Sequence, residues 1–197
     1  MPGGFGTPAF GADHRVIRVS GRLLVVESTD HEATTRSIAI EGSSVAELAA
    51  FAGVDLNTEF DVGHDTPPIG DVNARLTFDG EYANSLGEWW GLGLRAIDAV
   101  IAELPAASAP GRARVWPEHF DLGVDVGAAD GTRINLGASA GDDFSDECYL
   151  YVAPWGTERP GDQSYWNAPF GAVLARSHVP GATEACMFFR AGLARFA

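Results

Sequence analysis

The sequence predicts an α+β fold: an antiparallel sheet, one long helix packed on it, and a C-terminal helix closing the core. Three features carry that expectation. Short segments of alternating or continuous apolar residues recur between turn residues from His14 to Glu41 and again from Arg114 to Trp155. Between them, Tyr82, Leu86, Trp89 or Trp90, Leu94, Ile97, Ile101 and Leu104 repeat at helical spacing. The stretch from Ala182 to Phe196 reads as a second amphipathic helix at the end of the chain. At 197 residues, 46% of them hydrophobic, the chain fits one domain, 1–197, with a candidate sub-division at the linker 105–112.

Each element follows from local chemistry. Met1 to Gly11 is a glycine-proline loop whose Phe5 and Phe10 are too apolar for a free tail, so it is expected to pack on the body. His14 to Ser20 and Arg22 to Ser28 flank Ser20-Gly21 as a hairpin, and Thr34 to Glu41 supplies a third strand. Ser43 or Ser44 caps a short helix, Val45 to Ala52, that Gly53 ends. Asp55 to Gly70 is acidic, proline-bearing and aperiodic, hence loop. The long helix runs from near Asp79 to before Pro105, with its aromatic stripe as core. The linker leads to three strand-like segments, Trp116 to Val126, Thr132 to Ser139 and Glu147 to Trp155. Pro154 to Asp162 is loop, Phe170 to His178 a strand, and Ala182 to Phe196 the closing helix.

Composition narrows the function classes. The formal net charge is −14, from 27 acidic and 13 basic residues, which repels nucleic acid and anionic membranes because both are bound mainly through cations. All the basic residues are Arg; the absence of Lys rules out a Schiff-base side chain and a P-loop lysine. Cys148 and Cys186 match no disulfide or zinc spacing and sit where packing residues are expected, so a reducing cytoplasm fits best. No segment approaches the ~20 apolar residues of a membrane span, and the start lacks a basic region followed by an apolar stretch.

The strand pattern concentrates polar chemistry on one face. Side chains alternate in a strand, so Phe120, Leu122, Val124 and Val126 are expected on the core side and His119, Asp121, Gly123 and Asp125 opposite. A hairpin through Gly127 to Gly131 that sets Val126 against Thr132 places Asp125 across from Arg133 and His119 across from Ser139. Arg133 and Asn135 then stand beside Asp121, and Tyr149 and Tyr151 join from the third segment. His119 and Asp121 are the candidate catalytic pair, His119 as acid or base and Asp121 as its orienter; Glu118, Arg133, Asn135, Ser139, Tyr149 and Tyr151 are the candidate ligand-binding residues. The same pattern also describes a solvated sheet face, where an Asp-Arg pair and exposed tyrosines need no function.

Other motifs are weaker. Glu118, His119 and Asp121 have the donor types for zinc, manganese or iron, without an H-x-H or H-E-x-x-H spacing. Gly137 to Gly141 matches G-x-S-x-G, but an elbow serine needs a helix immediately after it, and His119 precedes Ser139. The run Asp142 to Glu147 lacks the spacing of a calcium loop and reads as an acidic hairpin turn. His14, His31, His64 and His178 show no partner in the sequence.

Trp116-Pro117-Glu118-His119-Phe120-Asp121, the stretch Asn135 to Asp142, Tyr149 to Trp155 and the opening Gly3 to Pro8 together resemble a family of uncharacterised proteins from high-GC bacteria. The resemblance implies cytoplasmic single-domain proteins and, the family having no established activity, supplies no mechanism, cofactor or ligand. Its members carry residues before the Gly-Gly-Phe motif, which leaves open whether Met1 is the native start. They have Pro where this chain has Ala140, and a proline suits a tight turn better than a nucleophile elbow. The leading functional expectation is therefore binding of a small polar metabolite, with acid-base chemistry, on the face around His119. The alternatives are a non-enzymatic homodimer or partner-binding protein, using Trp155, Tyr165, Trp166 and Phe170, and a metal-dependent hydrolase using Glu118, His119 and Asp121.

Overall fold

The computed structural model describes residues 4–28, 33–57 and 68–196. His31, His64, Met1 to Gly3 and most of the loop expected at 55–70 lie outside the described residues. The architecture is α+β, with two antiparallel sheets in place of the single sheet expected. The chain forms two compact units, Met1–Glu88 and Trp89–Ala197, so the division falls inside the long helix and not at 105–112. Residues 105–112 are instead tied into the second unit: the Gly111 amide donates to the Asp125 carbonyl at 2.8 Å, and Arg133 donates to the Ser108 carbonyl at 3.1 Å.

In the first unit, β1 (Gly4–Gly6), β2 (Val16–Ser20), β3 (Leu23–Ser28) and β4 (Thr34–Ala39) pair in sequence order. The opening segment is thus partly an edge strand, Phe5 opposite Val19, where a loop was expected. The expected hairpin about Ser20-Gly21 forms, with Val16 opposite Glu27 and Ser20 opposite Leu23, and Val25 and Val26 are buried. Helix α1 (Val45–Ala52) starts at Ser44, whose hydroxyl accepts from the Glu47 amide while the Glu47 carboxylate accepts from the Ser44 amide. This reciprocal cap satisfies two otherwise orphaned donors. It ends at Gly53, which takes the left-handed conformation (φ 68°) that costs other residues strain.

Helix α2 (Gly80–Ile101) begins where the Asp79 carboxylate accepts from the Glu81 and Tyr82 amides. Its buried stripe is Ala83, Leu86, Trp89, Trp90, Ala96, Ile97 and Val100. The expected Tyr82 and Leu94 are exposed instead, and Leu104 lies past the helix end. Gly93 explains the rotation: a β-carbon there would lie 2.8 Å from that of Ala138, so the small residue lets the helix backbone press onto the second sheet and turns Leu94 outward.

The second unit holds a meander of β5 (Arg114–Trp116), β6 (Asp121–Gly127), β7 (Arg133–Ser139), β8 (Tyr149–Pro154) and β9 (Ala172–Ala175). The segment expected as one strand from Trp116 to Val126 is two, folded at Pro117 to Phe120. Pro117 has no amide to offer a ladder, and Phe120 adopts φ 48°. Glu118 and His119 therefore sit in a turn, and Phe120, expected in the core, is 46% exposed. Leu122, Val124 and Val126 line up with Ala138, Leu136 and Ile134, and these with Leu150, Val152 and Pro154. That face is the core. Helix α3 (Ala182–Leu193) covers it, Gly192 lying against Val152 and the Cys186 thiol against the Ala96 carbonyl. Among the described residues, no helix is long and apolar enough to cross a membrane.

Candidate functional site

The opposite face of β6, β7 and β8 carries the candidate site, and glycine makes it possible. Register aligns Tyr151 with Gly137 and Gly137 with Gly123 across three strands. A β-carbon on Gly137 would lie 2.2 Å from the Tyr151 Cζ, and one on Gly123 would lie 2.7 Å from its Oη. The phenol ring therefore lies over Gly137, with its hydroxyl reaching Gly123. Laid this way, Tyr151 reaches β6 and donates a short hydrogen bond to Oδ2 of Asp121.

Asp121 is 6% exposed, and its other oxygen, Oδ1, is buried without a hydrogen-bond partner. Burial raises its pKa from the ordinary carboxylate value; the Tyr151 bond, the charge of His119 and a hydrogen bond from its own backbone amide pull the other way, and Glu118 adds to the rise. Burial likewise lifts Tyr151 well above the usual phenol value, with the charge of Asp121 and their shared bond adding to it. Tyr149 is raised too, first by burial and then by its 2.6 Å hydrogen bond to Asp142. Both phenols are thus held neutral as donors.

Asp142 is placed by a tight turn, its Oδ1 accepting from the Phe144 amide at 2.9 Å and the Ser145 amide at 3.2 Å. The acidic run after β7 is therefore a self-bonded turn, as expected. Ser139 is buried, its Oγ accepting from the Gly141 amide at 3.1 Å and its carbonyl accepting from the Trp89 indole at 2.8 Å. No helix follows Ser139, so the G-x-S-x-G match is a strand end and not a nucleophile elbow.

These side chains surround a cavity of about 280 Å³. Of the expected site residues, His119, Asp121, Asn135, Ser139, Tyr149 and Tyr151 line it. Asp142, Ala153 and Phe170 complete the wall and were not among them. Asp142 was hidden in what reads as a loop, and Phe170 opens a later expected strand that no sequence feature ties to the polar face. Phe170 joins an aromatic cluster, 5.3 Å from Phe144 and 6.4 Å from Tyr149 between ring centroids.

Two expected ligand residues are not in the wall. Arg133 is taken up by a close ion pair with Asp125 and by the carbonyls of Ser108 and Ala109. The register differs from the expected one by two residues, Asp125 facing Asn135 and Gly127 facing Arg133, which preserves the faces but makes the Asp-Arg pair diagonal. Nor is His119 across from Ser139, because the chain turns before β6 begins. Glu118, in the turn, has its buried Oε2 unpartnered, and its charge acts on the Asp121 carboxyl. Among the described residues no three His, Cys, Asp or Glu side chains gather as a metal-holding group, Glu118, His119 and Asp121 included.

Cys148 and Cys186 are both free and buried, each with its sulfur against a carbonyl oxygen, which is a packing role. No protein-family model, curated protein or solved structure matches the chain.

Proposed function

We propose that this cavity binds a small polar metabolite and that His119 and Asp121 do acid-base chemistry on it. The observation that carries the reading is the buried Asp121 carboxyl among the lining residues of a cavity, its pKa raised by burial and its Oδ2 bonded to a neutral phenol. Asn135, Ser139, Tyr149 and Tyr151 add an amide, a hydroxyl and two phenols, the few convergent polar groups of a small-molecule site. At about 280 Å³ the cavity suits a metabolite and is too small for a dinucleotide. His119 is exposed in the turn beside Asp121, where it can exchange a proton with solvent and with a bound molecule. Two buried free thiols accord with a reducing, cytoplasmic setting.

The assembly reading has less behind it. Tyr165 donates to the Phe188 carbonyl, Trp166 to the Pro160 carbonyl, and Phe170 lines the cavity; Trp155 donates to Asn135 Oδ1 at 2.8 Å but is 65% exposed, which makes it the surface aromatic of that set. A thermal-shift screen of a metabolite library on wild type and His119→Ala tests the proposed site, since a ligand of the native state must raise the melting temperature. A shift that weakens in the variant supports it. A library that shifts neither protein, with a stable oligomer by sizing, sinks it in favour of assembly.

A further inference from the structure

We propose that the ligand of this cavity is a neutral saccharide, one ring held in the cavity and the next stacked on the indole of Trp155 at its rim. The inference rests on the reading of the cavity as a ligand site and names the class of molecule. Past the end of β8, Trp155 keeps the alternation of Tyr149, Tyr151 and Ala153 and so projects from the same sheet face, its amide donating to the Arg133 carbonyl at 2.9 Å. Its indole Nε1 donates to Oδ1 of Asn135 at 2.8 Å, and Asn135 lines the cavity beside Ala153, its partner in register. The ring is 65% exposed and, among the described residues, stacks on no other ring. A lone surface tryptophan needs no function. This one is pinned in one orientation next to a cavity, with a face left to water, and a pinned ring has little freedom to lose on binding.

The groups around that ring suit hydroxyls. With Asn135 Oδ1 fixed on the indole, its NH2 is the end left to donate, and among the described residues that nitrogen is neither bonded nor buried. The exposed imidazole of His119 adds a donor and an acceptor to the wall. Charged ligands are served less well. The wall carries Asp121 and Asp142 and no arginine, Arg133 being taken up by Asp125 and two linker carbonyls, which disfavours an anion. A cation meets carboxylates already engaged, Asp142 by Tyr149 and two turn amides and Asp121 by Tyr151. The indole face is the negative side of its quadrupole and attracts the polarised C–H bonds on the flat side of a pyranose, whose contact also covers apolar surface. A saccharide thus answers the exposed ring and the free amide together, whereas a small charged metabolite leaves the ring in water.

Calorimetric titration of the whole chain with neutral mono- and disaccharides of glucose, galactose, mannose and xylose, and with glucosamine and glucuronate as charged counterparts at one ionic strength, tests the class. The expected result is that a neutral disaccharide binds about tenfold tighter than its monosaccharide and than either charged sugar. Trp155→Ala should remove that advantage, and Trp155→Phe should keep part of it. Near-UV circular dichroism checks that both variants are folded, and the exposure of the ring makes retention of the fold the expected outcome. A charged counterpart that binds tighter than every neutral sugar, or an affinity that Trp155→Ala leaves unchanged, overturns the saccharide assignment and leaves the site reading standing. A panel that does not bind also overturns it; the site reading falls with it only if the metabolite library shifts nothing.

Discussion

Asp121 and Tyr151 share one short bond, and each sets the other's ionisation. Because burial raises the Asp121 pKa, the folded protein holds a proton there that the unfolded chain has already released, over the interval from the ordinary carboxylate range up to the raised value. The contribution of Asp121 to stability therefore falls as pH rises through that interval and stays low above it. His119, Glu118 and Tyr151 are the groups bearing on this carboxyl. Asp121→Asn removes the titration, so its stability relative to wild type should grow as pH climbs out of the carboxylate range, read from urea denaturation at a series of pH values. A flat difference would mean that the carboxyl is well solvated. Tyr151→Phe acts in the opposite sense, stripping the Tyr151 side-chain hydrogen bond from a buried carboxyl. We expect a loss of about 1–3 kcal/mol, the cost of an unsatisfied buried polar group. Tyr149→Phe should cost less, since Asp142 is exposed and keeps its two turn amides.

Strand pairing, more than any single side chain, builds the cavity, and the Tyr151-Gly137-Gly123 row shows how. Gly137→Ala would drive a methyl into the Tyr151 ring, and we expect a destabilisation of about 1–3 kcal/mol, typical of overpacking. Spectrophotometric titration gives a second readout: Tyr149, Tyr151 and Tyr165 are three of the four tyrosines and all are raised by burial, so they should resist ionisation until the chain unfolds. In Gly137→Ala, Tyr151 should ionise earlier. In the first unit Ser44→Ala should cost about 1 kcal/mol, the usual value of a lost N-cap. That cap, the hairpin at Ser20-Gly21 and both long helices were legible in the sequence because each depends on residues within a turn or two of one another. The polar face was legible because strand alternation survives a register error of two residues. What was not legible depended on tertiary contact. The Pro117 to Phe120 fold split a strand that alternation alone reads as continuous, and Gly93 rotated the α2 stripe away from Leu94. Arg133 left the site for the carbonyls of a linker whose path no local pattern encodes.

Charge and tryptophan are distributed so that the chain's overall energetics can be read out. All five tryptophans, Trp89, Trp90, Trp116, Trp155 and Trp166, lie in the second unit, so indole emission reports that unit. Phe189→Ala in its core should lower the emission-monitored stability by about 3–5 kcal/mol, the range for emptying a fully buried aromatic site. The net charge of −14 makes a further prediction whose sign is not obvious, because salt weakens attractive ion pairs as well as repulsion. The ion pairs Arg75-Glu47 and Arg190-Glu103 are largely exposed, and such pairs contribute only about 0–1 kcal/mol each. Self-repulsion among 27 acidic residues facing 13 arginines is a sum over the whole surface, and folding concentrates it. Repulsion should win. Sodium chloride, raised from low to physiological ionic strength, should stabilise the protein by about 1 kcal/mol, which in a chain of this length moves the melting midpoint upward by about 2–4 °C. A midpoint that falls with salt would mean that the exposed pairs outweigh the acidic surface, and would reverse this ordering of the two effects.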